Sequence, residues 1–78
     1  MRAKLFRCMQ DQDRVVEFTY CDAQGNRSRR VVSPIRFLPN GRFLGLCLSR
    51  EEPRQFYLTR CEQLDVKPAA DYLMPVAL

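Results

Sequence analysis

The chain has 78 residues, of which 46% are hydrophobic and 28% charged, and it carries a formal net charge of +4 at pH 7. This length and composition indicate one folded domain over residues 1–78 and exclude a disordered chain. No apolar run approaches the ~20 residues of a membrane helix, and no apolar stretch follows the basic start, so we expect no membrane contact and a cytoplasmic location.

Residues 3–12 carry apolar side chains at spacings of three and four, which predicts one short amphipathic helix. The period then changes to two, because Val16, Phe18 and Tyr20 alternate with polar residues. That alternation predicts a half-buried β-strand, and Gly25 marks the hairpin loop that follows it.

Further strands are predicted along the rest of the chain. A strand over 29–38 is interrupted by Pro34, which cannot donate a ladder hydrogen bond and therefore predicts a bulge. An Asn-Gly turn separates it from a strand over 42–49, in which leucines alternate with smaller residues. A fourth strand is predicted over 54–60 and a weaker fifth over 63–66.

Together these elements predict a mostly β fold. A short helix at about 3–12 and four to five antiparallel strands over about 14–66 are typical of a small, partly open barrel. Closing such a sheet reduces its exposed edges, which matters in so small a domain. The tail over 67–78 is expected to be irregular but held by apolar contacts.

The four cysteines stand far apart, and neither a CxxC pair nor a histidine accompanies them. Most zinc sites use closely spaced ligand pairs, and disulfides are rare in reducing compartments. We therefore expect no metal, no cofactor and no disulfide. The cysteines are expected to be small packing residues, at Cys8, Cys21, Cys47 and Cys61.

Patterns that carry catalysis are missing from the sequence. The chain lacks histidine, the usual general base, and it has neither a glycine-rich phosphate loop nor a GxSxG motif. The neighbouring carboxylates Asp11 and Asp13 fall at a helix end, where solvated acids are ordinary. We therefore expect a binding protein, not an enzyme.

Arginine is concentrated in the middle of the chain. Eight arginines and two acids, Glu51 and Glu52, lie between Arg27 and Arg60, so this segment carries a charge of +6. Arginine offers a planar donor fork that suits phosphate and carboxylate groups. The clustering favours an anionic partner such as a nucleic acid or a nucleotide-like anion.

Four short motifs follow one another in the same central stretch, namely Phe18-Thr19-Tyr20, Arg30-Val31-Val32-Ser33-Pro34, Phe43-Leu44-Gly45 and Arg54-Gln55-Phe56-Tyr57-Leu58-Thr59-Arg60. Their order resembles the WYL domain of bacterial transcriptional regulators. In that family Arg-x-Val-x-Pro precedes a Trp-Tyr-Leu tripeptide, and Arg-x-Phe-x-Leu-x-Arg follows it. The tripeptide itself is replaced here by Phe43-Leu44-Gly45.

The resemblance implies an Sm-like β-barrel that senses a ligand, commonly a nucleic acid or a nucleotide-like molecule, to control transcription or a defence response. The positions that match the family's arginines are Arg30, Arg54 and Arg60. Two further arginines, Arg36 and Arg42, are expected to extend the basic surface.

The roles of the two aromatic candidates and of the arginines, and the kind of partner, each have an alternative interpretation. Tyr57 or Phe43 would offer a stacking face for a base, and core packing is the alternative for both. The arginines would otherwise form surface salt bridges with Glu17, Glu62 and Asp65. A different class of function is a protein-interaction or oligomerisation module, with a partner regulator or a second copy as its target.

Overall fold

The computed structural model describes residues 1–72. They form one α-helix and five β-strands, α1 (Arg2–Gln10), β1 (Arg14–Cys21), β2 (Arg27–Leu38), β3 (Arg42–Cys47), β4 (Glu52–Tyr57) and β5 (Cys61–Pro68). Two short 3-10 turns follow β4 and β5, at Leu58–Arg60 and Ala69–Asp71.

The strands form one antiparallel sheet in the order β4-β3-β2-β1-β5. The predicted mostly β fold, with five antiparallel strands and a short N-terminal helix, is confirmed. The sheet is open, because β4 and β5 form its two edges and do not pair with each other within residues 1–72. The predicted barrel implied that the sheet edges would close, and within residues 1–72 they do not.

The sheet curls so that strands far apart in its order face each other. The ring of Phe56 in β4 lies 5.3 Å from Phe18 and 5.1 Å from Tyr20, although both partners belong to β1. We call the face that carries these rings the inner face and the opposite one the outer face. Six side chains on or against the inner face are completely buried, namely Val16, Phe18, Val32, Phe43 and Cys47 of the strands and Leu5 of the helix.

Two bulges bend the strands. The β2–β3 register shifts between Pro34 and Arg36, which confirms the bulge predicted at the proline. The β1–β5 register shifts between Glu17 and Thr19, and Gln63 in β5 has a φ of 54°. Irregularities of this kind increase local twist, which fits the curl of the sheet.

The helix closes one end of the inner face. Leu5 and Cys8, three residues apart on α1, are buried in the core. The Nζ of Lys4 donates a hydrogen bond to the Leu64 carbonyl at 3.3 Å. The helix ends at Gln10 because Asp11 adopts an extended conformation, with φ −128° and ψ 103°.

Several predicted boundaries are wrong by a few residues. The fourth strand ends at Tyr57, because Leu58–Arg60 form a 3-10 turn in which the Cys61 N–H donates to the Leu58 carbonyl. The third strand ends at Cys47, where a tight turn follows. The fifth strand is longer than predicted and reaches Pro68, since it pairs with β1 along its length. The last part of the expected tail, 73–78, lies outside the described residues.

Candidate functional site

Two of the arginines that the sequence singles out share the inner face. Residues directly opposite each other in an antiparallel pair point to the same face. Arg30 lies opposite Phe18 of β1, and Arg54 lies opposite Gly45 of β3. Phe18 is buried in the core, and Gly45 alternates with the buried Phe43, so both arginines belong to the inner face.

Arg30 extends over small polar residues on this part of the inner face. Its Nε donates to Ser28 Oγ at 3.0 Å. Its side chain also hydrogen-bonds to the Cys47 thiol, whose Sγ lies 3.5 Å from Ser49 Oγ. Burial raises the pKa of the Cys47 thiol, but hydrogen bonds from Ser49, Arg30 and the Arg50 backbone N–H outweigh it, so the pKa lies below its ordinary value. This part of the inner face therefore favours negative charge.

Arg54 lies close to the same residues. Cys47 is opposite Glu52, and Arg54 follows two residues later on the same face. The Nε of Arg54 is 3.9 Å from Glu52 Oε1, and the two side chains are 37% and 53% exposed. An exposed pair of this kind contributes about 0–1 kcal/mol. The guanidinium of Arg54 therefore keeps donors free for a ligand.

Gly45, opposite Arg54, leaves room on the inner face for the Val32 side chain of β2. A Cβ at this position would collide with Cγ1 of Val32, which fills the space above the glycine. The third residue of the variant tripeptide thus has a packing role.

Arg36 and Arg42 lie on the outer face, away from the inner-face pair. Arg36 is opposite Leu44, which points away from the core. Arg42 uses its donors locally, with Nη1 bonded to Gln55 Oε1 at 2.7 Å and Nε bonded to the Pro39 carbonyl at 3.0 Å. These two arginines add positive potential but do not join the other candidates in one site.

Arg60 and Tyr57 form a third group at the end of β4. The Tyr57 side chain is 45% exposed, and Cζ of Arg60 lies 5.3 Å from its ring centroid. A cation–π contact at an exposed site contributes about 0.5–1 kcal/mol. The backbone N–H of Tyr57 donates to Tyr20 Oη at 3.1 Å, which ties this group to β1. Of the two aromatic candidates, Tyr57 is the exposed one.

Phe43 has no exposed stacking face, and the prediction that it offers one is wrong. Its side chain is completely buried. The ring centroid lies 5.4 Å from that of Phe56 and 6.1 Å from that of Phe18. Because β3 puts Phe43 on the inner face beside these rings, core packing is its role.

Two outer-face arginines form ion pairs with acids named in the salt-bridge alternative. Arg29 Nη2 lies 2.7 Å from Glu17 Oε1, and Arg27 Nη2 lies 3.3 Å from Glu62 Oε1. Asp65 makes no ion pair among residues 1–72. Salt bridging therefore accounts for Arg27 and Arg29, which are not among the predicted ligand contacts, and Arg54 forms only the weak Glu52 pair described above.

The polar surroundings of Arg30 were not predicted. These small residues come from different elements: Ser28 from β2, Cys47 from β3 and Ser49 from the turn after β3. A signal existed for Ser28, because it lies two residues before Arg30 and so shares its face. The β2–β3 register brings Cys47 and Ser49 near, and that register does not follow from the sequence pattern alone.

Other kinds of site are absent from the described residues. No cluster of three or more His, Cys, Asp or Glu side chains there is placed to hold a metal ion. All four cysteines are free, with Cys21 partly exposed and the other three buried. No helix in residues 1–72 is long and apolar enough to cross a membrane.

Comparison with known families agrees with the fold and with the order of the motifs. The family model of the WYL domain matches residues 7–66, from the second half of α1 into β5. No curated protein matches the chain. WYL domains are regulatory, ligand-sensing modules of bacterial regulators and not a catalytic family. Since the match spans most of its length, this chain belongs to the WYL domain family.

Proposed function

We propose that this domain senses a nucleic acid or a nucleotide-like anion through Arg30 and Arg54 and thereby controls transcription or a defence response. The supporting observation is that both side chains lie on the inner face, next to the polar residues around Cys47. A cytoplasmic location is part of the proposal.

The chemistry of the pair suits phosphate. Each guanidinium can donate two parallel hydrogen bonds to one phosphate, and such charge-assisted bonds are about twice as strong as neutral ones. Arg30 makes no ion pair with an acid among residues 1–72, and Arg54 makes only the weak contact with Glu52. Their positive charge is therefore available to a ligand.

Tyr57 and Arg60 provide a separate set of proposed contacts at the edge of the sheet, because Tyr57 points to the face opposite Arg54. Tyr57 presents part of its ring to solvent, and β4 is an edge strand. A base of a single-stranded ligand stacks on such a ring, which contributes about 1–3 kcal/mol per base. Arg36 and Arg42 contribute through the overall positive potential on the outer face.

A salt titration tests this proposal. Binding of short single-stranded oligonucleotides and of dinucleotides to the chain is measured between about 50 and 200 mM salt. Two phosphate contacts on a single strand predict that log K falls with log salt with a slope of about −1.4. Absence of binding at the lowest salt concentration, or affinity that does not change with salt, would contradict the proposal.

A second function, a protein-interaction module, is favoured by a different observation. Large apolar side chains are exposed on α1 and at the β2 bulge, with Phe6 at 51% and Ile35 at 48%. The edges β4 and β5 are also unpaired within the described residues, and unpaired edges can template association. The apolar run Tyr72-Leu73-Met74-Pro75-Val76 would join such an interface, and it lies outside those residues from Leu73 onward. Sedimentation at increasing protein concentration tests self-association, and a monomer at every concentration would contradict it.

A further inference from the structure

We propose a second anion-binding site, for a small phosphate-bearing anion, in a groove between α1 and the β1–β5 side of the sheet. The groove has a volume of about 550 Å³ and is lined by Lys4, Arg7, Gln10, Asp11, Arg14 and Val66. It does not depend on the inner-face pair, because neither Arg30 nor Arg54 lines the groove.

Three cationic side chains converge on this groove from two elements. Lys4 and Arg7 lie one helical turn apart on α1, so they share one side of the helix. The hydrogen bond from Lys4 Nζ to the Leu64 carbonyl holds the ammonium beside β5. Arg14 is the first residue of β1 and faces the groove from the other element. The cations thus surround one space instead of spreading over the surface.

Asp11 is the one acid in the groove wall, and both of its carboxylate oxygens are engaged. Its Oδ2 accepts from Arg14 Nε at 3.1 Å, and its Oδ1 accepts from the Asp13 backbone N–H at 3.0 Å. With three cations and one acid, the lining residues carry a net charge of +2. Among residues 1–72, the Nη groups of Arg14 and the guanidinium of Arg7 have no hydrogen-bond partner, and the Lys4 ammonium keeps two further donors.

The size and charge of the groove indicate the class of ligand. Small-molecule sites usually have volumes of about 300–1,000 Å³. A neighbouring hollow shares Asp11, Arg14 and Val66 and continues to Asp13 and Lys67, whose opposite charges balance each other, so the excess of cations belongs to the groove itself. Two guanidinium forks and an ammonium suit the several oxygens of a phosphate or diphosphate group better than the two oxygens of one carboxylate. Half-buried Val66 supplies an apolar wall.

Inorganic pyrophosphate is the probe for this site. In a titration of the full chain at low ionic strength, we expect backbone amide NMR signals of residues 4–14 and 66–68 to shift first. We also expect Arg7→Gln to weaken binding about tenfold, the equivalent of about 1.4 kcal/mol. Glutamine keeps the helix propensity of arginine. The matched control is Arg27→Gln, which removes the same charge from the outer face.

Each other outcome contradicts the inference. Absence of pyrophosphate binding would show that the groove is not an anion site. Equal weakening in Arg7→Gln and Arg27→Gln would show that only the net charge matters. Shifts confined to residues 28–30 and 47–54 would put the anion on the inner face instead. The wild-type shift map decides the question without a variant, should Arg7→Gln fail to fold.

Discussion

The ring of Phe18 in β1 packs edge-on against the ring of Phe56 in β4, with 5.3 Å between centroids and an interplanar angle of 83°. Two strands separate β1 from β4 in the sheet, so this contact exists only because the sheet curls. The same curl gives the domain an inner face, and the register then puts Arg30 and Arg54 on that face.

Loss of the Phe56 ring is therefore expected to destabilise the whole domain. Phe56→Ala removes a buried ring that contacts Phe18, Tyr20 and Phe43, and such truncations cost about 3–5 kcal/mol. Tyr57→Ala, at the next residue of the same strand, is the control because that side chain is exposed. The free energy of unfolding of both variants is measured by urea denaturation. Equal losses of unfolding free energy in the two variants would contradict the assignment of inner and outer faces.

The contact between Gly45 and Val32 predicts a double-mutant effect. Gly45→Ala places a methyl group against Cγ1 of Val32, and overpacking of this kind costs about 1–3 kcal/mol. Val32→Ala makes room, so the double variant should be more stable than the sum of the two single losses predicts. Strict additivity in urea unfolding would show that the two residues do not compete for the same space.

The carboxylate of Glu17 predicts a loss of stability in acid. Hydrogen bonds from the Tyr72 hydroxyl, at 2.6 Å to Oε2, and from Arg29 hold the pKa of Glu17 below its ordinary value of 4.5. Because the pKa of Glu17 is lower in the folded state than in the unfolded state, its carboxylate stabilises the fold. This stabilisation is complete above pH 4.5 and is lost as the pH falls through the pKa of the folded state. The stability difference between wild type and Glu17→Gln should therefore be present at neutral pH and shrink in acid. A difference that stays constant down to about pH 2 would contradict this.

The thiols are expected to react in an order set by burial. Cys21 is partly exposed, whereas Cys61 is buried and its pKa is raised by desolvation to about 12. Alkylation of the native chain near pH 8, followed by mass spectrometry of peptides, should modify Cys21 first and Cys61 last. In denaturant this difference should disappear. Native Cys61 reacting as fast as Cys21 would contradict the packing role assigned to it.

Much of the fold follows from local sequence patterns. The alternation around Phe18 predicts β1, and Pro34 predicts the bulge in β2, because period and missing donors are local properties. The end of β4 does not follow, because the alternation of Phe56 and Leu58 continues past Tyr57, whereas the chain forms a 3-10 turn at Leu58–Arg60. Which face of a strand packs in the core is likewise a tertiary property. For this reason the sequence did not exclude a stacking role for Phe43, which is buried.

The candidate site was predicted in part. The family motifs point to Arg30, Arg54 and Arg60, but they do not say which face each one occupies. The strand register puts the first two on the inner face, and the 3-10 turn places Arg60 beside Tyr57. The cationic groove at α1 has no motif, because its residues converge only when α1 packs beside β5.

The most direct test of the proposed ligand sensing compares charge-matched variants of the inner and outer faces. Binding of a short single-stranded oligonucleotide is titrated against salt for wild type, for Arg30→Gln with Arg54→Gln, and for Arg27→Gln. We predict that the inner-face double variant keeps its cooperative unfolding but loses affinity, with a salt slope closer to zero by about 1.4. The Arg27→Gln control should keep both the affinity and the slope within error. Unchanged binding in the inner-face variant, or an equal loss in the control, would contradict a site at Arg30 and Arg54.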